Sequence, residues 1–225
     1  MTPFYVRAVL FDMDGTLVDS TPLVERVWSR WAAQHSLDAS QVTTFAHGRP
    51  TEEVIRAFLP GLDAVTEAAS LLAEEELDPT PIQSIPGALE AVAVASQYSK
   101  WAVVTSASRK LAGLRLALGG FPSPPVLVSA DDIEHGKPDP EGFLRAAEAL
   151  GQAPEECLVF EDTPAGLQAG HAAGARIIGL STTFPASVLP ADIIVPDFTS
   201  VSMQPSEDGS LLVSVFAPEA VVGTN

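Results

Sequence analysis

Short apolar runs recur along this 225-residue chain with helical patterns between them: Val6 to Phe11, Trp101 to Thr105, Val126 to Ser129, Leu158 to Glu161, Arg176 to Leu180 and Asp192 to Val195. This alternation constrains the fold more than any other feature. It predicts β-α units and therefore an α/β protein built on a doubly wound, mostly parallel, Rossmann-like sheet. The rhythm breaks once, over residues 20–85, where helical patterns such as Pro22 to His35 and Thr51 to Leu59 occur without a convincing strand. Turn signals bound that stretch, Asp19-Ser20-Thr21-Pro22 on one side and Pro79-Thr80-Pro81 through Pro86-Gly87 on the other. The expected organisation is a core of residues 1–19 and 86–202, an inserted all-α domain of residues 20–85, and a terminal hairpin or tail over residues 203–225. In that last segment Gln204 to Gly209 signals a turn ahead of the alternating Leu211 to Phe216, with a loose tail from about Pro218 as the other reading. Trp28 and Trp31, three apart on a helix of the insert, read as packing residues.

Composition narrows the partners. With 46% hydrophobic residues the chain can bury a core, and its net charge of −17, with lysine only at positions 100, 110 and 137, argues against binding nucleic acid or an anionic membrane. A phosphorylated metabolite would also be repelled by the chain as a whole, so it would need local help from a metal and a few placed cations. The single cysteine, Cys157, sits in the apolar run to Phe160 and reads as a buried, reduced, inert thiol. Neither a secretion signal nor a segment long enough to span a bilayer is apparent, so a soluble cytoplasmic protein is expected, and its modest size is compatible with a monomer.

In open α/β sheets ligands sit beyond the carboxyl ends of the strands, and that filter selects a short set of residues. The first run delivers Asp12 and Asp14 within Asp12-Met13-Asp14-Gly15-Thr16, the second Thr105 and Ser106, and the fourth Glu161 and Asp162. Lys137 comes from the loop Glu134 to Pro140. Each piece also has a purely structural reading: Ser106 could cap the helix starting near Ser108, Lys137 could be a solvated charge, and Glu161-Asp162 could cap a helix from Pro164. Their joint occurrence at one sheet edge points to phosphoryl transfer instead.

The strings D-M-D-G-T-L-V-D-S, V-V-T-S-A-S, G-K-P-D-P and F-E-D-T-P-A-G, in this order, resemble the haloacid dehalogenase superfamily, and the resemblance covers about residues 6 to 200. It implies a phosphatase in which Asp12 is the nucleophile that becomes an aspartyl-phosphate and Asp14 is the general acid and base. It implies Mg²⁺ held by Asp12, the Asp14 backbone carbonyl and Asp162, with Glu161 a direct ligand or a partner through water. Lys137, Thr105 and nearby backbone N–H groups would hold the phosphoryl oxygens, with Ser106 beside them. The insert is similar to the family's helical cap, and His47-Gly48-Arg49-x-Thr51 resembles its sugar and polyol phosphatase branch, which makes His47 and Arg49 candidate substrate contacts. Phosphoglycolate phosphatase and a β-phosphoglucomutase-like transferase are the alternatives, although Thr21 to Arg30 lacks the histidine a mutase would carry there. A Schiff-base hydrolase is excluded because residues 20–85 contain no lysine, and a receiver-like module would carry its acceptor on the third strand.

Overall fold

The computed structural model of the protein describes residues 3–47, 49–78, 80–97 and 100–216, so Gly48, Pro79 and the tail expected from Pro218 lie outside the described residues. In chain order the elements are β1 (Phe4–Val6), β2 (Ala8–Phe11), β3 (Val18–Asp19), α1 (Thr21–Gln34), α2 (Ala39–Ala46), α3 (Thr51–Phe58), α4 (Ala64–Leu77), β4 (Gln83–Ser84), α5 (Ala88–Ser96) and β5 (Trp101–Val104). There follow α6 (Arg109–Leu118), β6 (Val126–Val128), α7 (Glu141–Ala149), β7 (Cys157–Glu161), α8 (Pro164–Ala173), β8 (Arg176–Leu180), β9 (Ile194–Val195), β10 (Val201–Pro205) and β11 (Leu211–Val215). The central sheet has the order β6-β5-β2-β7-β8-β9, and every pairing in it is parallel. Chain order along that sheet reverses between β2 and β7, which opens a crevice beyond their carboxyl ends.

Side chains on β2 alternate between two helical layers because the strand period is two. Ala8 and Leu10 pack with Phe143, Ala146 and Ala147 of α7 and Ala169 and Ala173 of α8. Val9 and Phe11 face the opposite way, into a cluster with Ala88, Ala91 and Val92 of α5 and Ala112 and Leu116 of α6. Phe11 stacks on Phe160 of β7 with ring centroids 5.5 Å apart. Small residues on the helices let them lie close to the sheet, so the strand ends are held at fixed spacing.

The run Val6 to Phe11 is two strands, not one. Arg7 interrupts it: its backbone N–H donates to the Glu156 carbonyl, leaving Phe4–Val6 to pair antiparallel with β11 while Ala8–Phe11 enters the parallel sheet. The terminal hairpin therefore has a place, as the β1-β11-β10 sheet, and it starts at Val201 rather than at residue 203. Residues 21–77 form α1 to α4, and Gln83 and Ser84, inside the stretch read as helical, instead pair with Val18 and Asp19 in a short ribbon. Helix starts are marked by local chemistry. Asp38, Asp63, Ser108 and Thr163 each accept a backbone N–H at the head of α2, α4, α6 and α8 respectively. Trp28 and Trp31 are buried in α1, edge to face at 5.3 Å, and the Trp31 indole donates to Glu67 Oε1 at 2.9 Å. Among the described residues no helix is long and apolar enough to cross a membrane.

Candidate active site

Asp12 follows β2 directly, and its N–H donates to the Phe160 carbonyl at 3.0 Å, which fixes the end of one strand against its neighbour. β7 ends in Glu161, with Asp162 next, so three carboxylates meet where the sheet order reverses. Asp12, Glu161 and Asp162 are all buried and offer oxygens within 4.8 Å of one another. The loop before α7 brings Lys137 into them. Its buried ammonium donates to Asp12 Oδ1, to Glu161 Oε1 at 2.8 Å and to the Val104 carbonyl at 3.3 Å.

Charge in this knot does not balance. Burial alone would lower the pKa of Lys137, but Asp12 and Glu161 raise it above the usual lysine value, so it is an ammonium. Burial pushes Asp12 up to about 7 in spite of Lys137, and burial together with the Glu161 and Asp12 charges pushes Asp162 well above the ordinary carboxylate range. Glu161 uses both oxygens on protein donors, Oε1 on Lys137 and Oε2 on the Thr163 N–H at 2.6 Å and hydroxyl at 2.9 Å. Asp162 has one oxygen on Thr16 at 3.2 Å, while its buried Oδ2 makes no well-formed hydrogen bond among the described residues, and the Thr183 hydroxyl beside Asp162 only partly opposes the rise in its pKa. An all-oxygen, cation-poor cluster with a buried carboxylate oxygen that lacks a well-formed hydrogen bond fits a hard divalent ion.

Asp14 stands apart from that cluster. Its Oδ1 accepts from Ser20 Oγ at 2.6 Å and pairs with the Arg115 guanidinium at 2.7 Å. Asp12, Asp14, Thr105, Ser106, His47 and Arg49 all line one cavity of about 80 Å³, together with Asp162. Thr105 is buried at the end of β5 and accepts the Ala107 N–H at 3.1 Å, the start of the turn that carries Ser106. Ser108, not Ser106, caps α6, through the Leu111 N–H at 3.3 Å, and Thr163, not Glu161-Asp162, caps α8. Burial lowers the pKa of His47 although Glu25 and Asp14 oppose it, which favours a neutral imidazole. Arg49 is braced by Glu53 at 2.7 Å and by stacking over Phe45. Arg115, Glu75 and Trp28 also line the cavity and were not expected from the sequence: two are charged residues within helices, and Trp28 reads as core.

Comparisons with known proteins agree with this geometry. A family model described as haloacid dehalogenase-like hydrolase matches residues 6–174. The chain is 36% identical to hexitol phosphatase A of Escherichia coli, over 92% of this chain and 98% of that protein. It is 33% identical to 2-deoxyglucose-6-phosphate phosphatase 1 of Saccharomyces cerevisiae, over 97% of this chain and 98% of that protein. Among solved structures, a hydrolase from Pseudomonas syringae superposes with a TM-score of 0.76 at 25% identity, covering 85% of this chain and 94% of that one. The chain belongs to the haloacid dehalogenase-like hydrolase family.

Proposed function

We propose that this hydrolase is a Mg²⁺-dependent phosphomonoesterase acting on small sugar or polyol phosphates through a phospho-Asp12 intermediate. The observation that carries the reading is the convergence of Asp12, Lys137, Glu161 and Asp162 at the β2/β7 crevice, with Asp14 on the same cavity. The names of the relatives, a hexitol phosphatase and a deoxyglucose-6-phosphate phosphatase, support the substrate class.

A phosphomonoester resists nucleophiles because of its charge, so catalysis rests on neutralising that charge and aligning the reacting atoms. Asp12 attacks phosphorus, and Lys137 balances the charge of both. Thr105, Ser106 and backbone N–H groups of the turn after β5 hold the non-bridging oxygens. Asp14 gives a proton to the leaving oxygen and then takes one from the water that hydrolyses the phospho-enzyme. Asp12, Asp162 and the Asp14 carbonyl are the residues that would hold Mg²⁺, which when bound supplies the positive charge the carboxylates lack. Glu161, already bonded through both oxygens, holds Lys137 and the turn before α8. The helices of residues 21–77 serve as the cap that closes the cavity, with His47 and Arg49 as its substrate contacts.

Phosphate release from a panel of hexitol, deoxysugar, glycerol, glycolate and aryl phosphates, with and without Mg²⁺, tests the reading. Mg²⁺-dependent turnover of sugar and polyol phosphates is expected, and folded protein that binds Mg²⁺ yet hydrolyses none of them would sink it. Asp12→Asn should abolish turnover with the circular dichroism spectrum unchanged, and retained turnover would remove the covalent step.

A further inference from the structure

Arg115 stands on α6 of the core, yet its side chain is only 5% exposed and is shared between two carboxylates. One nitrogen lies 2.7 Å from Asp14 Oδ1 and the other 2.6 Å from Glu75 Oε2, on α4. Its Nε, also buried, has no hydrogen-bond partner among the described residues. Burial raises the pKa of Glu75 although Arg115 opposes it. Arg115 and Glu75 are buried and Asp14 is partly exposed, and the cost of desolvating the two buried charges offsets much of their attraction, so the cluster is a poor source of stability. What it does supply is geometry, since a planar guanidinium fork fixes direction as well as distance. Ser20 and Arg115 converge on the same Asp14 oxygen, so the carboxylate has little freedom to rotate.

We propose that Arg115 is a positioning residue for Asp14, itself held in place by Glu75 of α4. The inference rests on the phosphatase reading above. In the first step the ester P–O bond breaks as the Asp12–phosphorus bond forms, and the leaving alkoxide takes the proton from Asp14. A positioning residue for Asp14 therefore matters for leaving groups that need this proton and not for those that depart as stable anions.

Ethyl phosphate and acetyl phosphate are nearly the same size, carry no hydroxyl group, and differ in this respect. kcat/KM reports only the events up to formation of the phospho-enzyme, so the later attack of water does not enter. Arg115→Lys, which keeps the charge but loses the fork, should lower kcat/KM for ethyl phosphate about 100-fold and that for acetyl phosphate less than about 3-fold. Glu75→Gln, a milder change that leaves the Arg115–Asp14 pair in place, should show the same selectivity at about 10-fold. Equal losses on both substrates, or no loss on either, would overturn the proposal. So would a loss confined to hydroxyl-bearing polyol phosphates, which would make Arg115 a substrate contact. Wild-type protein inactive on every phosphomonoester would remove the phosphatase reading itself, an outcome distinct from those seen with the variants.

Discussion

Gly15 turns the chain at φ +82°, and a Cβ built on it would lie 2.1 Å from Asp162 Oδ2 and 2.4 Å from Thr183 Oγ1. Two separate costs therefore attach to Gly15→Ala. The left-handed conformation costs about 1–2 kcal/mol for any residue with a Cβ, and the clash must displace the carboxylate proposed to hold the metal. Gly151 separates the two, because it has φ +65° and nothing within 4 Å of its would-be Cβ. Both alanine variants should lose about 1–2 kcal/mol in urea unfolding, with Gly15→Ala at or beyond the upper end. Only Gly15→Ala should lose activity, by about 100-fold, because a shift near 1 Å at a reacting group costs about that much. Equal activities in the two variants would mean that Asp162 does not need its present position.

The turn ahead of α7 shows how an element places a residue of the site. Glu141, the first residue of α7, accepts the backbone N–H groups of Glu134 and His135, the latter at 2.8 Å, and pairs with Arg145 one turn on. That pins the loop that delivers Lys137. The bond from His135 leads the causes that hold the Glu141 carboxyl down at about 2, below its usual 4.5. Because the folded-state value is depressed, Glu141 contributes stability above pH 4.5, and the contribution disappears as pH falls toward 2. Glu141→Gln should therefore lower Tm at pH 7, with the difference from wild type narrowing by pH 3, and a pH-independent difference would contradict this. The elements of the parallel sheet were legible in the sequence because strands buried on both faces leave unbroken apolar runs, and because the candidate residues Asp12, Thr105 and Glu161-Asp162 fall at their ends. The division of Val6 to Phe11 at Arg7 was not legible, since it depends on β11, about two hundred residues away in the chain, taking up pairing with β1. Arg115 was hidden for a similar reason. In Arg109-Lys110-Leu111-Ala112-Gly113-Leu114-Arg115 it reads as a solvated helix charge, and only the packing of α4 against α6 buries it beside Asp14.

Over the whole molecule, a net charge of −17 surrounds a buried knot of three carboxylates and one lysine. Mg²⁺ can therefore stabilise the protein in two ways, by screening the surface and by occupying the knot. Screening depends on ionic strength and is reproduced by NaCl. Occupation adds RT ln(1 + [L]/Kd), about 2.7 kcal/mol at one hundred times Kd, which for a chain of this size raises Tm by about 5–10 °C. Asp162→Asn discriminates between them. The substitution removes a carboxylate that is buried, pushed toward its protonated form, and without a well-formed hydrogen bond at Oδ2, so without Mg²⁺ the variant should melt at or above the wild-type temperature. With Mg²⁺ the order should reverse, wild type gaining the full shift and the variant only what NaCl at matched ionic strength provides. Equal Mg²⁺ shifts in the two proteins would place the ion elsewhere. A variant less stable than wild type in chelator would show that Asp162 is held by the fold for reasons unrelated to a cation.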